Sequence, residues 1–141
     1  MHSPEIRTEV SIEIGRPPEV IYKLLADPNE IPKYWPEVGR IEITNQLPLR
    51  YKMVSSEGSG TMEVVSAEPP RHIVTKSLEH SMGVDGMWDT TVTATPAGSR
   101  IDHKSVMQFH NPLLPTMAIF MDANAEEMKT LTAIKRYAES H

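Results

Sequence analysis

The sequence contains no cysteine, which excludes disulfide bonds, thiolate nucleophiles and cysteine-ligated metals. It has no run of about 18 apolar residues, so no segment is typical of a membrane-spanning helix. Lys and Arg total 14 against 19 Asp and Glu, and the net charge is −5. This balance argues against a nucleic-acid partner, because phosphate binding requires a basic surface. No nucleophile elbow, phosphate-binding glycine loop or His-Glu-x-x-His motif is present.

What is present is the composition of one globular domain, which we expect to span 1–141. The hydrophobic content of 39% and the charged content of 23% are ordinary for a globular protein, and the length is sufficient for a hydrophobic core. The polar, acidic first residues predict neither a signal peptide nor a transit peptide. Together with the lack of cysteine, this leads us to expect a cytoplasmic protein.

The last thirty or so residues carry the clearest pattern. From 113 onward, apolar residues recur every three or four positions, which predicts an amphipathic helix of about 25 residues. Its apolar stripe is rich in methionine, and Asn124 falls near its middle. The stripe consists of Leu113, Met117, Phe120, Met121, Met128, Leu131, Ile134 and Ala138. Because a single helix cannot bury this stripe, the rest of the chain must supply a surface for it.

About seven strands are predicted before this helix. Alternating apolar residues indicate a strand at 6–14, and the prolines after it begin a short helix that ends at 27–28. A second short helix follows at 29–34, with Asn29 available as its N-cap. Further strands are predicted at 40–44, 50–55, 61–67, 71–80, 87–95 and 100–110, with glycine turns at 57–60 and 83–86. Turns this short make consecutive strands antiparallel, so the predicted fold class is α+β, a sheet covered by one long helix.

Three motifs occur in order along nearly the whole chain. They are Pro-Pro-Glu-Val-Ile-Tyr at 17–22, Tyr-Trp-Pro-Glu-Val at 34–38 and Pro-Ala-Gly-Ser-Arg-Ile at 96–101. With the order of the elements, they resemble the helix-grip fold of the START-like, birch-pollen-allergen-like (SRPBCC) superfamily. The chain is most similar to small bacterial members labelled polyketide cyclase/dehydrase or coenzyme-Q-binding-like. The resemblance implies a curved antiparallel sheet that grips the long C-terminal helix and encloses an apolar cavity.

Strand alternation identifies the residues that would face this cavity. On the last strand His103 and Met107 share the more apolar side, and on the strand before it Trp88 and Thr90 do so. An apolar site with a few polar groups is typical of small-molecule binding, and methionines suit varied hydrophobic shapes. The candidate ligand-binding residues are Trp35, Met53, Trp88, Thr90, Met107, Met117, Phe120, Asn124 and Met128, with Trp35 at the entrance.

We therefore expect a protein that binds a lipid-, quinone- or polyketide-like molecule, without a metal or cofactor. Its partner would be that hydrophobic ligand, with no nucleic acid and no integral membrane association, and it would be a monomer or a homodimer. An alternative, which we favour less, is a polyketide cyclase/dehydrase (aromatase-like) enzyme in which His103 is the catalytic acid or base, because histidine titrates near neutrality. A second alternative is a protein-interaction module, because some co-chaperones share this fold.

Each of these residues also has an interpretation that involves only packing and no function. The methionine-rich helix face can be ordinary core packing, and bulky inward side chains can fill the cavity completely. His103 can be a buried histidine whose nitrogens are satisfied by neighbouring side chains. Trp35 can simply close the space between the short helices and the sheet.

Overall fold

A computed structural model of the chain describes residues 5–56, 58–80, 84–109 and 123–141. In these ranges one strand is followed by two short helices, six more strands and a long helix. The helices are α1 (Pro18–Ala26), α2 (Ile31–Tyr34), which follows a 3-10 turn (Pro28–Glu30), and α3 (Ala123–Ser140). The strands are β1 (Glu5–Ile14), β2 (Val38–Gln46), β3 (Leu49–Ser55), β4 (Gly58–Glu68), β5 (His72–His80), β6 (Val84–Thr95) and β7 (Gly98–Phe109). This order confirms the predicted α+β helix-grip fold.

The strands form one antiparallel sheet in the order β1-β7-β6-β5-β4-β3-β2. Neighbours from β2 to β7 are consecutive in the chain, as expected for strands joined by short turns. The first strand closes the sheet beside the last, with Val10 opposite His103. Register shifts between β2 and β3 and between β4 and β5 are irregularities of the kind that bends a sheet. Helix α3 packs chiefly against β1.

The main hydrophobic core lies under the C-terminal half of α3. There Leu131, Ile134 and Ala138 meet Val92 and Ile101 on the inner face of the sheet, and none of the five is more than 2% exposed. Helix α1 adds its own apolar side chains to this core. Burial of each large aliphatic side chain contributes about 1.5–3 kcal/mol to folding. A second cluster beneath α2, β2, β3 and β4 contains Ile31, Val38, Tyr51 and Met62, with Met53 and Trp88 packed against it.

Three local predictions were wrong. Asp27, not Asn29, caps the 3-10 turn, and its carboxylate accepts a hydrogen bond from the Asn29 backbone N–H at 3.0 Å. Of the turn predicted at 57–60, Gly58, Ser59 and Gly60 belong to strand β4 and pair with β3. Gly86 does not flank a turn but belongs to β6, where its missing Cβ leaves room for the indole of Trp88.

Part of the long-helix prediction falls outside the described residues. The predicted start at 113, and the candidate residues Met117 and Phe120, lie in the segment before Ala123 that is not described. From Ala123 the helix follows the predicted stripe. In the described ranges, no helix is both long enough and apolar enough to cross a membrane.

Candidate functional site

Four side chains form a hydrogen-bonded network between the inner face of the sheet and α3. Thr90 and His103 are directly opposite on β6 and β7, and His103 Nδ1 lies 2.8 Å from Thr90 Oγ1. His103 Nε2 lies 3.0 Å from Oε2 of Glu127. The indole N–H of Trp88 donates to the other oxygen of that carboxylate, Oε1, at 3.3 Å. Hydroxyl, imidazole, carboxylate and indole are thus joined in a continuous chain.

The network is largely shielded from water. The side chain of His103 is 12% exposed and that of Glu127 is 16% exposed, and Thr90 is buried. A neutral imidazole donates from Nε2 to the carboxylate and accepts the Thr90 hydroxyl at Nδ1, whereas a protonated imidazole donates from both nitrogens. Both protonation states leave every group with a partner.

The sequence analysis missed Glu127. It lies four residues before the buried Leu131, so it occupies the same helix face as the apolar stripe. Helix periodicity therefore places a charged residue within the apolar stripe, although it does not identify the partner of that residue.

Most of the other predicted residues lie near the network. A Cβ added at Gly86 would stand 2.6 Å from the ring of Trp88, so the indole lies across the inner face of Gly86. Met53 packs with Trp88 at the second core cluster. Met107 is opposite Gly86 and half-buried, and Met128 packs against the main core.

Two predicted residues lie apart from the network. Trp35 follows α2 and is 38% exposed, and its indole N–H donates to the carboxylate of Glu37. Asn124 is exposed, and its amide oxygen accepts a hydrogen bond from the backbone N–H of Glu9 at 3.0 Å. Asn124 therefore fastens α3 to the edge strand β1 and has no contact with His103 among the contacts described for either residue. The binding roles of both residues stay predictions.

An open concavity of about 1040 Å³ lies beside the end of the ladder between β5 and β6. The ladder between these strands runs from His72 opposite Thr91 to Lys76 opposite Met87. Beyond that point the concavity is bordered by side chains from both faces of the sheet. Among the predicted site residues that are described, only Asn124 lines it. The lining includes Ser77, Gly86 and Ser105 from the inner face and Leu78, Met87 and Val106 from the outer face.

Two tyrosines of the second cluster, Tyr34 and Tyr51, are held in their neutral forms. Burial raises the pKa of the Tyr51 phenol to about 12. Burial also raises the pKa of Tyr34 far above its ordinary value, with the nearby Tyr51 and Glu30 adding to the shift. Both phenols are therefore uncharged at neutral pH. In the described ranges, no group of three His, Asp or Glu side chains is arranged to hold a metal ion.

Comparison with known proteins gives one family match. The model of a family described as polyketide cyclase/dehydrase and lipid transport matches residues 5–139. A comparison with curated protein sequences found no match.

Several solved structures share the fold. Ara h 8.0201 is 17% identical with a TM-score of 0.75, and the match covers 98% of this chain and 100% of that one. Norcoclaurine synthase from Thalictrum flavum, solved with dopamine and hydroxybenzaldehyde, is 13% identical with a TM-score of 0.73, covering 99% and 90%. The di-domain ARO/CYC StfQ of the steffimycin biosynthetic pathway is 17% identical with a TM-score of 0.76, covering 96% of this chain and 52% of that one. At these identities the likeness shows the helix-grip fold.

Proposed function

We propose, from the premise that this chain belongs to the polyketide cyclase/dehydrase and lipid transport family, that it binds a hydrophobic small molecule between the sheet and the N-terminal half of α3. The observation that carries the proposal is that the interface between α3 and the sheet changes from apolar to polar along the helix. Around Leu131 and Ile134 the interface is apolar and closed, with no more than 2% exposure. One turn earlier, at Glu127, it contains the polar network. Half-buried Met128 follows Glu127 in the helix, and half-buried Met107 lies opposite Gly86 in the sheet.

The physical cost of such a network supports a binding role. Desolvation offsets much of the gain from a buried charged pair, so apolar packing at the same place is often equally stable or more stable. A polar network beside methionines and an indole instead offers oriented hydrogen-bonding groups at the edge of an apolar surface. This combination is the usual construction of small-molecule sites.

A neutral, environment-sensitive dye tests the proposal. We expect Nile red to bind saturably, with a blue shift and increased fluorescence. Met107→Trp should fill the space opposite Gly86 and weaken binding at least about tenfold, equivalent to 1.4 kcal/mol. Met87→Trp is the matched control, because Met87 is 46% exposed on the other face of the same sheet. Equal binding by both folded variants and the wild type, or no saturable binding at all, would contradict the proposal.

A second candidate function is catalysis of the cyclase/dehydratase type. The observation that favours it is the order Thr90, His103, Glu127, because a carboxylate that orients an imidazole, which in turn contacts a hydroxyl, is an arrangement used in acid–base catalysis. With a synthetic poly-β-ketone as substrate, His103→Ala should lower kcat roughly 10²–10⁴-fold and leave the Nile red affinity within a factor of about two. Turnover that survives this substitution would remove His103 from the chemistry.

A further inference from the structure

The hydrogen-bonded network of the proposed binding site contains no lysine or arginine side chain. The chain has 14 Lys and Arg residues, and all of them fall in the described ranges. All but four are exposed to solvent. The four partly buried ones are Arg16, Lys52, Lys76 and Lys135. Among the exposed ones, Arg7 and Lys104 border the open concavity. They are the strand neighbours of the buried Thr8 and Ser105, which bond to each other, so their side chains project from the outer face of the sheet.

Two of the four lie on the outer face of the sheet. Lys76 Nζ pairs with Glu63 Oε2 at 3.3 Å, and Glu63 also faces outward, because its neighbour Met62 belongs to the inner cluster. Lys52 lies in β3 between Tyr51 and Met53, which both pack in that cluster. Strand alternation therefore directs Lys52 to the opposite face.

The other two, Lys135 and Arg16, lie far from the network of His103 and Glu127. Lys135 Nζ donates to the backbone carbonyl of Glu13 at 2.8 Å, two turns of helix beyond Glu127. Arg16 follows β1, and its backbone carbonyl accepts a hydrogen bond from Ser99 at 2.6 Å. Ser99 is four residues of extended strand from His103, a distance of about 13 Å. An arginine side chain is shorter than this distance.

Glu127 differs from the other poorly exposed carboxylates. Glu30 and Glu63 are buried, and each pairs with two lysine or arginine side chains. Glu127 instead contacts only an imidazole and an indole among the contacts described for it. If His103 is neutral, the pair of His103 and Glu127 carries one negative charge, and if His103 is protonated the pair is neutral. In neither state is it positive.

We infer that the ligand of this site is uncharged or cationic at its polar end, and that the site disfavours carboxylate, phosphate and sulfonate ligands. The inference rests on the function proposed above and narrows its ligand class. An anion placed there would lose its hydration without gaining a lysine or arginine as a partner. It would also be repelled by Glu127 across a few ångströms of weakly screening interior. A neutral hydrogen-bond donor or an ammonium group would meet the carboxylate favourably.

Three ligands with the same alkyl chain test this inference. Decanol, decylamine and decanoate are compared by displacement of Nile red at pH 8, where ordinary histidines are uncharged. We expect decanoate to require at least about a tenfold higher concentration than decanol. Glu127→Gln should reduce that ratio to within about threefold, because it removes the charge and keeps the shape. Glu126→Gln is the matched control, since it makes the same charge change on an exposed side chain paired with Lys129.

The outcomes separate the two proposals. Decanoate binding as tightly as decanol to the wild type would overturn the charge inference and leave the binding function standing. A ratio that is the same in Glu127→Gln as in Glu126→Gln would also overturn it, because the selectivity would then not come from Glu127. Failure of Nile red and all three ligands to bind would overturn the proposed function, and the inference with it.

Discussion

Replacing Gly86 by alanine should displace the indole of Trp88 from the site. An ideal Cβ on Gly86 would stand 2.6 Å from one ring carbon of Trp88 and 3.0 Å from two others. These distances are below or at the limit of real Cβ contacts, and a planar indole can avoid the methyl group only by moving as a whole. Such a movement breaks its 3.3 Å hydrogen bond to Glu127.

The size of the effect follows from three contributions. Overpacking of this kind costs about 1–3 kcal/mol, and loss of the indole hydrogen bond adds about 1 kcal/mol. Alanine also reduces the conformational entropy of the unfolded chain, which stabilises the folded state by about 0.4–1 kcal/mol. This gain applies because Gly86 is not among the glycines with positive φ, so alanine can adopt its backbone conformation. We therefore expect a net loss of about 1–3.5 kcal/mol in the free energy of unfolding.

The assay combines urea denaturation with tryptophan spectroscopy. The chain has two tryptophans, so a Trp35→Phe background assigns the tryptophan fluorescence and the tryptophan bands of the near-ultraviolet circular dichroism to Trp88. Gly39→Ala is the matched control, since a Cβ there meets nothing within 4 Å. This control should be neutral or slightly stabilising and should leave the spectra unchanged.

Two results would refute the reasoning. One is Gly86→Ala with unchanged stability and an unchanged Trp88 spectrum, which would mean that the indole does not lie on Gly86. The other is an equal loss of stability in Gly39→Ala, which would show that the cost arises from the strand backbone and not from the ring contact.

Three further predictions concern charges and pKa values. Glu127→Ala should lower the free energy of unfolding by about 1.5–3 kcal/mol, because it removes two hydrogen bonds to a shielded carboxylate. The exposed control Glu126→Ala should change it by less than about 0.5 kcal/mol. Equal losses of stability in urea denaturation would contradict this prediction. The hydrogen bond from Lys33 holds the pKa of Glu30 below its usual value. Glu30 therefore contributes stability above the unfolded pKa of about 4.3 that is lost as the pH falls through the lower folded pKa, and Glu30→Gln should flatten that part of a pH series of denaturation curves. Burial raises the pKa of Tyr51 to about 12, so stability present below about pH 10 should be lost as the pH rises toward 12. Tyr51→Phe should remove that loss, and a folded protein whose Tyr51 ionises near pH 10 by ultraviolet titration would contradict the burial.

The sheet and its faces could be predicted because they depend on local patterns. The alternation of Val10, Ile12 and Ile14 and the short turns between later strands fix both pairing direction and orientation. His103 and Thr90 were placed on the inner face in this way, and the structure pairs them directly. Helix periodicity likewise identified the buried Leu131 and its neighbours on α3.

The centre of the site could not be predicted from either pattern alone, because it depends on how α3 packs against β7, two elements whose contact no local pattern encodes. Strand alternation aims His103 inward and helix periodicity places Glu127 on the buried face, but only the packing of α3 against the sheet brings them to 3.0 Å. Once they meet, the carboxylate has an imidazole and an indole in place of the basic partners that accompany Glu30 and Glu63. The same contact thus sets the charge of the site and the class of ligand that we infer. A charged residue on a predicted buried helix face therefore indicates a polar partner on the facing strands.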